Sequence, residues 1–110
     1  MTRVRIGPGD DVAALVRAAE GESVLLVLDP ALNPLELARA RAVIGPLAVE
    51  RAPGTRVNAL LAAAGADPAD AEAAARFLEG ARSTTGQVLE VGQAAVRSRT
   101  QGPSRSSTNR

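Results

Sequence analysis

Val24-Leu25-Leu26-Val27-Leu28 sets five consecutive branched aliphatic residues between Gly21 and Pro30. A strand with one wet face alternates apolar and polar residues. An unbroken apolar run of this length belongs to a strand covered on both faces, the pattern of a parallel sheet. It is far too short to span a bilayer. Upstream, Val4 and Ile6 alternate with Arg3 and Arg5, as in a half-exposed edge strand. Gly7-Pro8-Gly9 reads as a turn, and Asp10 or Asp11 as the cap of a helix with Val12, Leu15, Val16 and Ala19 on one face, ended by Gly21.

Downstream, a second helix is expected from about Leu35 to Arg51, apolar on more than one side, with a kink where Gly45-Pro46 interrupts it. Arg56 to Leu61 reads as a third strand. Asp67-Pro68-Ala69-Asp70 opens a third helix with a capping Asp, a proline in the first turn and an early acid. Ala71, Ala74, Ala75 and Leu78 form its buried stripe, with Phe77 at the stripe's edge, and Gly80 stops it. Gln87 to Val91 reads as the last strand. The order β-α-β-α-β-α-β predicts an α/β fold of about four parallel strands and three helices, joined by right-handed crossovers.

Composition narrows the chemistry. The chain has no histidine, cysteine, lysine, tyrosine or tryptophan, and all thirteen basic residues are arginine. Histidine is the usual proton shuttle near neutral pH, and lysine, tyrosine and cysteine supply most other tunable acids, bases and nucleophiles. Arginine does not give up its proton, and a carboxylate titrates near pH 4 unless burial or a like charge raises it. Catalysis by this chain alone would need a perturbed Asp or Glu, and metal binding would have to be all-oxygen. No disulfide framework and no secretory signal pattern are present, which suggests the cytoplasm.

Charge divides the chain into residues 1–92 and a tail. The first part carries nine arginines and twelve acids; residues 93–110 carry Arg97, Arg99, Arg105 and Arg110 and no acid. The tail is basic and of low complexity, and it is expected to add little to folding. It is either an arm for nucleic acid or a partner, or a solvated tail. The sparse arginines without aromatics favour the latter, so no nucleic-acid partner is expected.

Candidate sites are few. Asp29 and Asn33 follow a central strand, where open α/β sheets bind ligands, although Asp and Asn also suit turns and helix caps there. Gly7-Pro8-Gly9 precedes a helix, but Asp10 and Asp11 stand where a phosphate would go. Ser83-Thr84-Thr85 orders the loop into the last strand, and Asn58 reads as a buried amide bonded to a neighbouring loop. Asp67 and Asp70 are explained by helix capping.

Three segments resemble the short-chain dehydrogenases/reductases (SDR). Ala48-Val49-Glu50-Arg51-Ala52-Pro53 leading into Arg56-Val57-Asn58-Ala59 is similar to that family's helix end and following strand. Pro68-Ala69-Asp70 with Ala75-Arg76-Phe77-Leu78 is similar to its next helix, and Thr85-Gly86-Gln87-Val88-Leu89-Glu90-Val91-Gly92 to its terminal strand. The resemblance covers about residues 35–92, in the family's carboxyl-terminal half, and implies a truncated, Rossmann-like half domain over residues 1–92. The family's Tyr-x-x-x-Lys pair falls, by counting back from Glu50, on Asn33 and Leu37, and its serine position on Asp29-Pro30. The resemblance therefore implies no catalytic residues and no cofactor. It also implies association, because related enzymes assemble through this helix and the terminal strand. Ala40, Val43 and Leu47 on the second helix, with Val88, Leu89 and Val91 on the last strand, are the expected interface. The expected function is a non-catalytic SDR-like subunit that stabilises a full-length SDR oxidoreductase or shapes its substrate path, or that forms a homodimer. The alternative is a small-molecule or nucleotide binder using the crevice near Asp29 and Asn33.

Overall fold

A computed structural model describes residues 2–92; the expectations for residues 93–110 lie outside the described residues. Seven elements follow one another: β1 (Thr2–Ile6), α1 (Val12–Ala18), β2 (Ser23–Leu28), α2 (Pro34–Arg51), β3 (Arg56–Ala62), α3 (Pro68–Gly80) and β4 (Val88–Val91). The four strands form one parallel sheet in the order β1-β2-β3-β4. Val4, Leu26 and Ala59 are in register across the first three. This is the parallel α/β sheet anticipated from the apolar run at its centre, and the Rossmann-like half domain that the family resemblance implied.

The two faces of the sheet carry separate cores. Ile6, Leu26, Leu28, Val57 and Ala59 lie under α1 and α2, packed with Val16, Ile44 and Leu47. Leu25 and Leu60, one residue out of phase, lie under α3 with Ala75 and Leu78. Residues 24–26 of β2 are all at most 1% exposed, as a strand covered on both sides requires.

This arrangement corrects the expected topology. Every connection moves one strand in the same direction across the sheet, so helices on opposite faces belong to crossovers of opposite hand. The β3-α3-β4 crossover therefore differs in hand from the other two, against the strong right-handed preference. The competing term is burial. With all three helices on one face, Leu25, Val27, Leu60, Leu89 and Val91 would face water. Hydrophobic burial at about 25 cal/mol per Å² makes that arrangement costlier than an unusual crossover.

Local boundaries follow capping chemistry. Asp11 caps α1 by accepting the Ala14 N–H at 3.1 Å. The helix ends at Ala18 rather than near Gly21, because the Arg51 guanidinium takes the Val16 and Ala19 carbonyls that a further turn would use. Helix α2 runs without a break through Pro46, so the expected interruption does not occur. Pro46 lies on the exposed side, where water can take the carbonyl left without a donor, while Ile44, Leu47 and Ala48 hold the helix to the sheet. Asp67 caps α3 through the Ala69 N–H at 2.8 Å. Phe77 is 66% exposed and so stands clear of the stripe it was expected to border. It lies about 200° around the helix from buried Ala75. Among the described residues, no helix is long and apolar enough to cross a membrane.

One ionic cluster ties the edge strand to α3. The Arg3 guanidinium donates to both carboxylate oxygens of Glu79, at 2.7 and 3.0 Å, and of Glu72, both at 2.9 Å. The hydrogen bonds from Arg3 hold the Glu72 carboxyl down to about 2, against an ordinary value of 4.5. A carboxyl depressed in the folded state stabilises the fold above its unfolded pKa, and that contribution disappears as pH falls from about 4.5 through about 2. We expect the stability gap between the native chain and Glu72→Gln to be constant above pH 5 and to close towards pH 2. Urea midpoints measured across that range, at low salt, check this. A gap that persists unchanged at pH 2 would show that the ion pair is not its source.

Candidate functional site

All four strands point their carboxyl ends at one edge of the sheet, so the loops after β1, β2 and β3 share that edge with Gly92 at the end of β4. Asp29 follows β2 there. Its backbone N–H donates to the Ile6 carbonyl at 2.9 Å, and its Oδ1 accepts the Ala31 N–H at 2.8 Å. The remaining oxygen, Oδ2, lies 3.8 Å from the Arg5 guanidinium. Asn33 caps α2: its side chain accepts the Glu36 N–H at 2.8 Å, and Glu36 returns the bond to the Asn33 N–H at 3.1 Å. Both crevice candidates thus use their polar groups to shape the β2–α2 loop.

One helical turn beyond Asn33, Leu37 lines a cleft of about 280 Å³ with Pro30, Leu61, Ala63, Val91 and Gly92. Its walls are almost wholly apolar. Leu37 offers no proton to exchange, and Glu90, the one charged lining residue among the described residues, is held by Arg41 at 2.7 Å. A larger hollow of about 550 Å³ lies at the opposite, amino-terminal edge between Glu22, Pro53, Arg56 and Arg82. There the Arg56 guanidinium is already committed to the Ala81 carbonyl at 2.7 Å.

The turn after β1 does not suit a phosphate. Gly7 N–H donates to Asp10 Oδ2 at 2.8 Å, and Gly9 N–H to Glu36 Oε2 at 3.2 Å. Carboxylates therefore occupy the amides that would cradle an anion, and a dinucleotide pyrophosphate would meet Asp10, Asp11 and Glu36. The residues present do not fit a nicotinamide dinucleotide. Among the described residues, no cluster of three or more acidic, histidine or cysteine side chains could hold a metal ion. Where the structure shifts a carboxyl, it moves it downward: Arg17 beside Glu50 does so, as Arg3 does at Glu72. A general acid at neutral pH needs the reverse.

Asn58 is the buried amide that its place in a strand implied. It is 1% exposed; its Nδ2 donates to the Thr84 carbonyl at 2.9 Å and its Oδ1 accepts the Gln87 N–H at 3.0 Å. Thr85 Oγ1 accepts the Val57 N–H at 3.0 Å, and Gly86 N–H donates to the Val57 carbonyl at 2.7 Å. Thr84, Thr85 and Gly86 thus order the path into β4.

The expected interface residues divide. Ala40 and Leu47 belong to the domain's own core and Val43 packs against it, so α2 presents that side to the sheet. Val88 packs on the same face, and Leu89 and Val91 on the α3 face, all half-buried on the terminal strand. The large apolar side chains that α2 leaves in water are Leu35, 59% exposed, and Val49, 77% exposed. Their signal in the sequence was the second apolar side of the helix. Choosing which side docks required knowing that Ala40, Ile44, Leu47 and Ala48 face the sheet.

No significant match is found among curated proteins or among solved structures. Residues 9–91 match the model of the family described as short chain dehydrogenase-like protein, from the turn after β1 to the end of β4. With the segments of α2, β3, α3 and β4 that resemble short-chain dehydrogenases now placed in one parallel sheet, the chain belongs to the SDR-like family of short chain dehydrogenase-like proteins.

Proposed function

We propose that this chain is a non-catalytic SDR-like subunit that works by association, either with a full-length SDR oxidoreductase or with itself, in the cytoplasm. The observation that carries the reading is the occupancy of the two positions counted as the family's tyrosine and lysine. Asn33 there is a helix cap and Leu37 an apolar cleft wall. Neither can pass a proton or steady a ribose, while the apolar groups left in water on α2 and α3 suit a partner. In such an assembly a full-length enzyme would supply cofactor and catalytic residues, and this chain would stabilise it or wall its substrate path.

We expect no micromolar binding of NAD(H) or NADP(H) in a calorimetric titration of the pure chain, and no NAD(P)H oxidation with ketone substrates. Steady turnover or micromolar affinity would overturn the reading. Light scattering on the chain alone, and mixed with a full-length SDR from the same source, tests association; a monomer indifferent to the reductase counts against it. A second reading draws on the cleft of about 280 Å³ beside the Asp29–Asn33 loop, which could hold a small, largely apolar molecule. Thermal stabilisation by a specific metabolite would favour that reading.

A further inference from the structure

The hollow of about 550 Å³ lies at the amino-terminal edge of the sheet, across the domain from the Asp29–Asn33 loop. Glu22 precedes β2 and Ser23 begins it, Arg56 begins β3, and Glu79 and Arg82 lie at the end of α3 and just after it. Ser23 and Arg56 are in register on adjacent strands. Ser23 shares a sheet face with Leu25, two residues on, so its side chain stands on the α3 side, where the hollow is.

The charges around this hollow are unevenly satisfied. Glu79 offers it no free negative charge, because Arg3 donates to both of its carboxylate oxygens. Arg56 is half-buried and forms no ion pair among the described residues. It donates to the Ala81 carbonyl at 2.7 Å and to the Glu79 carbonyl at 3.4 Å. Those bonds leave three of the five guanidinium N–H donors, and the carbonyl end of α3 offsets only roughly half of the positive charge. Arg82 and Glu22 are both exposed, and neither forms an ion pair among the described residues, so they line one hollow without meeting across it.

Ser23 is an independent sign of a ligand. It is 3% exposed, yet its hydroxyl has no hydrogen-bond partner among the described residues, although its neighbours Thr55 and Arg56 have theirs. Buried hydroxyls are as a rule hydrogen-bonded. A polar molecule in the hollow that Ser23 lines supplies the missing partner.

We propose that this hollow binds a small amino acid in its zwitterionic form. Arg82 and the remaining donors of Arg56 take the carboxylate, whose two oxygens match the planar fork of a guanidinium. The Ser23 hydroxyl, beside Arg56, donates to the same carboxylate, and Glu22 takes the ammonium. A phosphate dianion fits less well, because it meets Glu22 as well as the arginines, and a simple amine meets two arginines. A ligand carrying both charges is the one that satisfies all four side chains. The site shares no residue with the apolar cleft at the other edge, and it requires no second chain.

A titration of the full, isotope-labelled chain with L-alanine, followed by nuclear magnetic resonance at fixed pH and ionic strength, tests this. Isobutyrate and isopropylamine, which keep its shape and one charge each, are the reference probes. We expect saturable shifts at the Ser23 and Gly80 amides with a millimolar Kd, about fivefold tighter than for either reference, the scale of one ion pair at an exposed site. Arg82→Ala and Glu22→Gln change exposed side chains and should each weaken L-alanine about fivefold with circular dichroism unchanged. Glu22→Gln should also abolish the preference over isobutyrate. No saturable shift at the hollow up to about 100 mM, far above a millimolar Kd, would overturn the proposal. Isobutyrate or inorganic phosphate binding as tightly as L-alanine would overturn the zwitterion, and binding indifferent to both substitutions would overturn the site.

Discussion

Leu26→Ala is expected to lower the stability of this domain by about 3–5 kcal/mol, the upper part of the range for core leucines. Leu26 is fully buried at the centre of β2, in register with Val4 on one side and Ala59 on the other, beneath the α1–α2 layer. Ala59 is already small, so little side-chain volume is at hand to fill the space left by the isobutyl group. The flanking strands are held in a parallel ladder, which limits collapse. A domain of this size has about 5–15 kcal/mol in total, so the variant should be unfolded in a substantial fraction near body temperature. Urea denaturation with an unchanged slope and a lower midpoint is the expected observation. A loss below about 1 kcal/mol would show that the α2 layer can settle into the gap and that the core is less closely packed than its burial implies.

Asn58→Ala should cost nearly as much, about 2–4 kcal/mol, for a different reason. The amide joins β3 to the loop before β4 beside the Thr85 hydroxyl, with one bond to the Thr84 carbonyl and one from the Gln87 N–H. Removing it strands a donor and an acceptor in a nearly dry position, at roughly 1–3 kcal/mol for each unsatisfied group. Asn58→Asp separates the bonds from the packing. An ionised carboxylate could still accept from Gln87 but would face the Thr84 carbonyl oxygen, so burial and repulsion would push its pKa up. A group whose folded pKa is raised binds its proton more tightly in the folded state, so the Asp variant should gain stability as pH falls, relative to Asn58→Ala. Parallel pH titrations of the two melting midpoints check this. If the difference between the variants does not move with pH, the buried amide pair is not what holds β4 in place.

Asn58 also shows which part of the site was legible in advance. An amide inside an otherwise apolar strand has few alternatives to a partner in an adjacent loop, so its role followed from its neighbours in the chain. Asp29 was different. A lone acid after a central strand has the same local sequence whether it awaits a ligand or closes a turn. Its bond to the Ala31 N–H and its approach to Arg5 on another strand became visible only with the chain folded. The candidate crevice near Asp29 and Asn33 correspondingly became an apolar cleft, walled by Leu37 from α2 and by Val91 and Gly92 from the far end of the chain.

By itself, the sequence determined the seven elements and their order, because caps, prolines and apolar period act within a turn or two of the chain. It also determined the missing chemistry, because a chain without histidine, lysine, tyrosine or cysteine cannot acquire their titrations by folding. Tertiary structure decided what depends on competition between distant segments. The two-sided α2 docked through Ala40, Ile44 and Leu47 and left Leu35 and Val49 in water, although either side was apolar enough to dock. Helix α3 crossed to the other face because β2 and β3 need cover on both sides and only one helix remained to provide it. Local propensities are nearly indifferent to such choices; total burial, summed over both faces of the sheet, is not.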